Sequence, residues 1–416
     1  MKGRIHYAWI ILLGVILIRG FAGGGINMTS GLFLAPVAEE LDIGIGTLSI
    51  YLSIISIATV LWLPAAGKLM NRYDIRVTAL AGALLQPLSF AAFGLLHSVY
   101  GWYVLAIPYA MGATILVSLL GPILIGRWFA DRVGLMMGIQ MAFVGLFGAV
   151  FQPYISSVIA EEGWRAGYMR MGLAAFLVII LAVLLFLRNK PEESGLQPYR
   201  RAGKKEAAET ESDSIEIPEK KALKSPSFYC LLLFMISLTG VGVFIQHIPT
   251  YGAVSGYTLR QIGVLLSFSS IGNAVGSILI GTVSDRIGGL KTSYGMILLG
   301  LLSVAGFAFG RESYLLFGAA TFLHGLVSAS IMVLAPVLTI QFFGYGDYEK
   351  IYARVSMGAP IASILLIPLY GFIYDKTGSY GSVLAGIAVL LLAAYVSIMV
   401  GWQKRCTSAG CPGWKK

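Results

Sequence analysis

Charged residues are scarce in this chain of 416 residues. Asp, Glu, Lys and Arg together make up 12% of it, whereas soluble globular domains contain about 25%. Hydrophobic residues account for 57% of the sequence, and its mean hydropathy is +0.80. This composition excludes an ordinary soluble protein and predicts a protein that crosses a membrane several times.

Cysteine is also scarce, and no pattern typical of an enzyme is present. Cys230, Cys406 and Cys411 form neither a disulfide framework nor a metal-ligand spacing. The sequence contains no nucleotide-binding loop and no nucleophile spaced with a base. We therefore expect no catalytic residue, no metal and no cofactor.

Twelve apolar runs are long enough to cross a bilayer. They lie at 7–34, 45–66, 77–97, 100–126, 134–158, 168–187, 228–253, 261–284, 293–310, 314–340, 352–374 and 381–402. Because these runs greatly exceed the length of a spanning strand, helices are expected. The first run is too long for the apolar part of a cleavable signal peptide, so we expect a retained helix.

A polar stretch divides the spans into six and six. We predict an N-terminal six-helix bundle at 1–187, a cytoplasmic linker at 188–227, a C-terminal six-helix bundle at 228–402 and a cytoplasmic tail at 403–416. The linker contains the acidic run 206–213, which cannot bury a core and predicts a flexible segment.

The basic residues predict the orientation of the chain. With both termini and the linker in the cytoplasm, most of the 30 Lys and Arg residues lie on the cytoplasmic side. The exceptions are Arg165, Arg170, Arg260, Arg311 and Lys376 outside, and Arg19 within the membrane. This asymmetry is typical of a multi-pass protein of the cell (inner) membrane in contact with lipid. The net charge of +10 therefore does not imply a nucleic-acid partner.

The two halves of the sequence repeat each other at an offset of about 214 residues. The stretch from Gly67 to Arg72 matches the stretch from Gly281 to Arg286, and Pro122 matches Pro336. Such a parallel duplication is typical of transporters whose halves are related by an axis along the membrane normal. A substrate path is then expected between the halves.

These features resemble the major facilitator superfamily over essentially the whole chain. The repeated G-x-x-x-[DN]-R loops and the six-plus-six duplication carry the resemblance. Arg127-Trp128-Phe129, Gly163-Trp164-Arg165 and the stretch from Lys190 to Leu196 resemble the monocarboxylate transporter and oxalate/formate antiporter group within it. The resemblance implies an all-α fold of twelve transmembrane helices in two pseudo-symmetric bundles. It also implies that spans 1, 4, 7 and 10 line the central cavity.

Arg19 is the main candidate for substrate binding. It lies about 16 Å into the first span, close to the middle of a hydrocarbon core about 30 Å thick. All 20 Asp and Glu residues lie outside the spans or at their ends, so no carboxylate in mid-span can pair with it. An anionic substrate would supply the missing charge, because a guanidinium suits carboxylates. The alternative is an arginine that holds helices together through backbone carbonyls.

Other polar residues in the spans complete the candidate site. The predicted substrate-binding set is Arg19, Asn27, Tyr109, Thr114, Gln140, His247, Asn273 and His324. Each of the added residues has an alternative role in packing, because buried amides and histidines often bond one helix to another. The histidines would also suit proton coupling. Arg72, Asp285 and Arg286 lie in the repeated loops and are predicted to act in conformational gating.

The chain departs from the monocarboxylate group at its charged positions. Asn27 stands where those transporters carry a lysine in span 1, and Asn273 and Ser277 stand where they carry an aspartate and an arginine in span 8. A single positive charge at Arg19 favours a monocarboxylate over a dicarboxylate. We predict a monomeric secondary transporter of a small organic anion that works by alternating access, with a coupled proton or counter-anion left open. The alternatives are an exchanger or exporter of a neutral or cationic solute, and a non-transporting sensor.

Overall fold

The computed structural model describes residues 6–129, 133–199, 217–344 and 347–409. Twelve helices in this part of the chain are long and apolar enough to cross a membrane. They are α1 (Tyr7–Glu40), α2 (Ile45–Met70), α3 (Ile75–Phe93), α4 (Val99–Trp128), α5 (Leu135–Glu162), α6 (Trp164–Phe186), α7 (Pro226–Gln246), α8 (Leu259–Ile287), α9 (Gly289–Phe309), α10 (Tyr314–Phe343), α11 (Lys350–Thr377) and α12 (Gly381–Arg405). Among these residues the only β pairing is a bridge between Phe129 and Tyr199. The predicted all-α architecture is confirmed.

Helix α1 changes its hydrogen-bonding pattern in the middle of its span. Tyr7–Arg19 is α-helical, and Gly20–Asn27 then forms a π-helix. A short 3₁₀ turn at Ser30–Phe33 leads into the final α-helical segment, Leu34–Glu40. Arg19 is thus the last residue of the regular α-helix. Such π segments frequently mark functional sites.

The glycines of the π segment allow other helices to approach its backbone. A Cβ atom added at Gly24 would lie 2.5 Å from the backbone oxygen of Val144 on α5. A Cβ atom at Gly20 would lie 2.6 Å from the ring of Phe147 on the same helix. Real Cβ atoms do not come so close to other atoms. A side chain at Gly24 would therefore push the two backbones apart, and one at Gly20 would displace the Phe147 ring.

Helix α4 contains a second π segment, at Thr114–Leu119. Pro122 follows within the next helical turn. Proline has no N–H and its ring crowds the carbonyl one turn earlier, so the regular ladder cannot continue unchanged at this point. Both helices that carry π segments also carry candidate site residues, Arg19 and Asn27 on α1 and Thr114 on α4.

The seventh span is shorter than the sequence predicts. The apolar run was expected to form one helix over 228–253, but α7 ends with a 3₁₀ turn at Phe244–Gln246, and a separate helix follows at Ile248–Val254. Pro249 lies in the first turn of that second helix. Its missing N–H is harmless at a helix start but would interrupt a continuous helix. The break places His247 at the N-cap.

The protein is organised in two compact units, Met1–Glu206 with Gln246–Ile271 and Ala207–Ile245 with Gly272–Lys416. In the first unit α1 packs on α4, α5 and α6, and α3 packs on α4 and α6. In the second unit α7 packs on α10, α11 and α12, and α9 packs on α10 and α12. These are equivalent pairs, so the packing within each unit follows the predicted duplication. The division of the sequence at 187 and 228 stays a prediction.

The segment 246–271 comes from the second half of the sequence but packs within the first unit. Ser267 Oγ donates to the backbone oxygen of Ala149 at 2.7 Å, and Ser270 Oγ donates to Gln152 Oε1 at 2.9 Å. Arg260 forms an ion pair with Glu161. Hydrogen bonds and an ion pair therefore join residues 260–270 of α8 to residues 149–161 of α5.

Both ends of the predicted linker make defined contacts. Tyr199 N donates to the backbone oxygen of Trp128 at 2.8 Å at the end of α4. Ile217 N donates to the backbone oxygen of Phe343 at 3.1 Å at the end of α10. Tyr199 and Ile217, the two linker residues nearest to its undescribed middle, thus contact equivalent helices of the two units. Its middle, residues 200–216, lies outside the described residues, as do residues 410–416 of the predicted tail.

Candidate functional site

Arg19 is buried, and most of its guanidinium has no partner. The residue is 3% exposed, and its Nη2 donates to the Sδ atom of Met141 at 3.6 Å. Nε and Nη1 have no hydrogen-bond partner among the described residues. A thioether sulfur is a weak acceptor. In this part of the chain, Arg19 therefore does not hold helices together through backbone carbonyls, which was its alternative role.

No carboxylate pairs with Arg19 in the described part of the chain. The ion pairs found there join Arg165 to Glu40, Arg170 to Glu162, Arg260 to Glu161, Lys350 to Asp347 and Arg354 to Glu219. All of these side chains are at least partly exposed. A buried charge without a counter-charge is costly.

Gln140 of α5 lies beside Arg19 and is also incompletely paired. Its side chain is fully buried, its Nε2 lies 3.1 Å from the Sδ atom of Met137, and its Oε1 has no partner among the described residues. Gly121 of α4 makes room for both side chains. A Cβ atom there would lie 2.1 Å from Gln140 Oε1 and 3.1 Å from Arg19 Cδ. Two of the predicted site residues are thus brought together.

Asn27 and Tyr109 form a second polar group in the same unit. Asn27 Oδ1 accepts from Tyr109 Oη at 2.6 Å and from Gln86 Nε2 at 2.9 Å. Gln86 Nε2 also lies 3.2 Å from the backbone oxygen of Ala22. These bonds orient the half-buried Asn27 amide and use its oxygen, while its nitrogen makes no hydrogen bond within the described ranges.

Thr114 and His247 are buried residues of the first unit. Thr114 is fully buried, and its Oγ1 donates to the backbone oxygen of Ala110 at 2.7 Å, so its hydroxyl hydrogen is used within α4. His247 is fully buried at the start of the Ile248–Val254 helix. Neither position contacts Arg19 through a hydrogen bond, because the guanidinium donates only to Met141 among the described residues.

His324 and Asn273 lie in the second unit. His324 is 3% exposed, and its Nε2 lies 2.9 Å from the backbone oxygen of Val241. Because a carbonyl can only accept, Nε2 carries the hydrogen, and Nδ1 has no partner in the described chain. The ring therefore links α10 to α7 and keeps one nitrogen unused. The side chain of Asn273 is half-buried on α8.

The predicted gating residues lie at helix ends and are exposed. Arg72 lies close to the ring of Tyr73, 5.7 Å from its centroid. Asp285 and Arg286 are exposed near the end of α8. None of the three forms an ion pair in the part of the chain that the structure describes, and their gating role stays a prediction.

Comparison with known proteins identifies the family. The model of the Major Facilitator Superfamily matches residues 15–313 and 258–408. The chain belongs to this superfamily. A crystal structure of a bacterial homologue of the human lysosomal transporter Spinster has the same fold, with a TM-score of 0.67, 13% identity and 98% coverage of both chains. The chain is therefore a multi-pass membrane transporter, and the expectation that it is not an enzyme is confirmed.

Two curated relatives fall in the group that the sequence motifs indicate. The chain is 25% identical to the oxalate:formate antiporter of Oxalobacter formigenes over 292 residues, which cover 70% of this chain and 66% of that protein. It is 22% identical to human monocarboxylate transporter 11 over 429 residues, which cover 97% of this chain and 84% of that protein. The resemblance to this group is confirmed.

Several residues at the candidate site are not identified by the sequence reasoning. Gln86 holds Asn27, and the sulfur atoms of Met137 and Met141 hold Gln140 and Arg19. Gln86 is a buried amide directly before Pro87 in an apolar run, which is a detectable signal. The methionines give no such signal, because their hydropathy is that of ordinary packing residues.

Proposed function

We propose that this transporter moves a small organic anion, with monocarboxylates as the favoured class, and that Arg19 binds the anion. The proposal rests on the burial and the hydrogen bonding of the Arg19 guanidinium. Arg19 is 3% exposed, its Nε and Nη1 are unpaired among the described residues, and its Nη2 meets only the sulfur of Met141. Two nitrogens of a buried cation are thus left for a ligand.

A carboxylate ligand suits these donors on physical grounds. Its oxygens accept only, they carry the opposite charge, and a guanidinium donates to them in short charge-assisted bonds. The bound anion also removes the cost of an uncompensated buried charge. One such cation balances one carboxylate, which favours monocarboxylates over dicarboxylates.

The relatives support the anion class. The two named above are an oxalate:formate antiporter and a monocarboxylate transporter, and oxalate, formate and monocarboxylates are organic anions. We extend that class to this chain. The chain differs from the monocarboxylate group at Asn27, which stands where those transporters carry a lysine. We therefore assign the positive charge of the site to Arg19.

The remaining candidates have secondary roles in this proposal. Asn27, held by Tyr109, has an amide nitrogen that makes no hydrogen bond to the described residues, and the Gln140 oxygen beside Arg19 has no partner among them either. We keep Thr114, His247, Asn273 and His324 as polar residues of the transport route. The unused Nδ1 of His324 suits transient proton binding. Arg72, Asp285 and Arg286 are assigned to gating.

We also propose the orientation and coupling. Both termini lie in the cytoplasm and the protein in the cell (inner) membrane, an orientation that the excess of Lys and Arg in the corresponding loops supports. The transporter works as a monomer by alternating access and couples the anion to a proton or to a counter-anion.

Counterflow in liposomes tests the proposal. Purified protein is reconstituted with an internal load of short carboxylates or of amines, and uptake of labelled substrate is followed. We expect carboxylates to accelerate uptake and amines to have no effect. Arg19→Ala and Arg19→Gln should weaken apparent affinity about ten- to hundred-fold, the range expected for lost hydrogen bonds to a charged group.

The matched control is Arg170→Ala. Arg170 is an arginine of the same unit whose ion pair with Glu162 is exposed, and exposed pairs contribute little. It should transport normally. Acceleration by amines alone would instead support the exporter of cationic solutes, and unchanged affinity in Arg19→Ala would remove Arg19 from the site.

A further inference from the structure

Two buried side chains beside Gly121 have polar atoms without a hydrogen-bond partner among the described residues, and these atoms differ in chemistry. Arg19 presents donors at Nε and Nη1, whereas Gln140 presents an acceptor at Oε1. Both side chains are buried, with exposures of 3% for Arg19 and 0% for Gln140. Both lie within contact distance of the position of a Cβ atom on Gly121. One small volume therefore offers hydrogen-bond donors and an acceptor together.

The Gln140 amide is oriented by its nitrogen end. Its Nε2 lies 3.1 Å from the Sδ atom of Met137, which accepts weakly. Its Oε1 lies 2.1 Å from the position of a Cβ atom on Gly121, and Arg19 Cδ lies 3.1 Å from the same position. The amide oxygen is therefore close to the aliphatic part of the Arg19 side chain, and it is the acceptor that this place presents.

A plain carboxylate satisfies only half of this arrangement. Its oxygens pair with Arg19, but they repel the oxygen of Gln140, since both are acceptors. A buried acceptor that stays unpaired costs free energy. A ligand that carries a hydroxyl or another donor next to its acid group pairs with both residues at once.

We propose that Gln140 is a specificity-determining residue that makes the site prefer small carboxylates with a hydrogen-bond donor adjacent to the acid group. The inference rests on the proposed function of Arg19 and adds a selectivity that charge alone does not provide. Ligands with the same charge and size are separated by whether they donate to Gln140 Oε1.

Three anions of equal carbon number test this selectivity. Lactate carries a hydroxyl beside the carboxylate, pyruvate carries a carbonyl there, and propanoate carries neither. In counterflow with wild-type protein we expect lactate to compete at least about tenfold better than the other two, as one well-placed hydrogen bond allows. In Gln140→Leu the three anions should compete within about twofold of each other.

A second variant alters the site without removing the amide. Gly121→Ala adds a Cβ atom at 2.1 Å from Gln140 Oε1, so the amide oxygen must move away. We expect this variant to lose the preference for lactate as well. Gly126→Ala on the same helix adds a methyl group into open space and should keep the preference. Far-UV circular dichroism and monodisperse elution establish that each variant is folded.

The outcomes separate this inference from the proposed function. If wild-type protein accepts all three anions equally, the selectivity is refuted while anion transport stands. If Gln140→Leu weakens all three equally and keeps their ratio, Gln140 only supports Arg19, and the inference is again refuted. If the wild-type protein transports none of these anions and no other carboxylate, the proposed function itself fails.

Discussion

The guanidinium of the buried Arg19 donates a hydrogen bond to the thioether of the more exposed Met141. Arg19 Nη2 lies 3.6 Å from Met141 Sδ, and this is its only hydrogen bond among the described residues. Arg19 is 3% exposed, whereas Met141 is 40% exposed. A buried cation is thus held by the sulfur of a partly exposed residue, and a thioether sulfur is only a weak acceptor.

Replacing Met141 should tune anion binding according to the acceptor strength of the new side chain. Leu offers no acceptor, Met a weak one, Gln a neutral oxygen and Glu a carboxylate. The apparent affinity for a short carboxylate should fall in the order Leu, Met, Gln, Glu, because stronger acceptors compete with the substrate for Arg19. Met141→Glu should abolish uptake. Competition curves in counterflow measure the series.

The series has its own internal comparison, since all four side chains occupy one position on α5. A similar loss in Met141→Leu and Met141→Gln would mean that Met141 acts through packing and not through its sulfur. Equal affinity across the whole series would contradict the competition between this side chain and the anion.

Gly24 tests the close contact between α1 and α5. In Gly24→Ala the new Cβ atom would lie 2.5 Å from Val144 O and 2.9 Å from Gly148 N. Both are backbone atoms, so the helices must separate, and overpacking of this kind costs about 1–3 kcal/mol. We expect a lower midpoint in thermal unfolding of the purified protein and reduced transport.

The control for Gly24 is Gly138→Ala on α5. Nothing lies within 4 Å of the Cβ atom that would be added there, so the substitution should leave the midpoint unchanged or raise it slightly. Equal midpoints for the two variants would show that the α1–α5 contact tolerates an extra methyl group.

The number of spans and the lack of an acidic partner for Arg19 among the described residues could be predicted because they depend on local properties of the sequence. Hydropathy over about 20 residues determines whether a helix can cross a bilayer. The absence of acidic residues from the middle of the spans is visible directly in the sequence of each apolar run. The repeat of Pro122 and Pro336 likewise needs no knowledge of contacts.

The partners of the site residues could not be predicted, because they depend on how each helix is rotated about its axis. The π segment Gly20–Asn27 changes the angle per residue within α1, so regular α-helical spacing misplaces Asn27 relative to Arg19. The sequence also gives no sign that Met141 faces Arg19 or that Gln86 faces Asn27. Hydropathy does not predict the break at His247, because the run 228–253 is apolar enough overall for one helix despite Gln246, His247 and Pro249.

Asp347 fastens the segment before α7 to the loop that follows α10. Its Oδ2 accepts from Glu219 N at 2.9 Å, and its Oδ1 accepts from Lys350 Nζ at 2.8 Å. The hydrogen bond from Lys350, together with the backbone N–H of Glu219, lowers the pKa of Asp347 below its usual value. A carboxyl group whose pKa is lower in the folded protein adds to the free energy of unfolding at higher pH. This contribution is lost as the pH falls through the pKa of the folded state.

Asp347→Asn should therefore lower the midpoint of thermal unfolding at pH 7. The difference from wild type should shrink as the pH falls through the lowered pKa of Asp347, because the wild-type carboxylate then becomes protonated. Asp42→Asn is the matched control, because Asp42 has a positive φ of 50° that asparagine also tolerates. A difference that stays constant with pH would show that the charge of Asp347 does not stabilise this contact.

The pairing of Arg260 with Glu161 fastens the segment 246–271 to α5, and a cross-link at these positions tests whether that contact opens during transport. In a variant with Cys230, Cys406 and Cys411 replaced by serine, Arg260→Cys and Glu161→Cys are joined by a cleavable bifunctional thiol reagent. Alternating access moves one half of the sequence against the other, so we expect the cross-link to stop counterflow and its reductive cleavage to restore it.

Arg165→Cys and Glu40→Cys provide the control, because that ion pair lies within the first half of the sequence and its cross-link should leave transport intact. Normal transport by the protein cross-linked at 161 and 260 would show that α5 and the start of α8 move as one body.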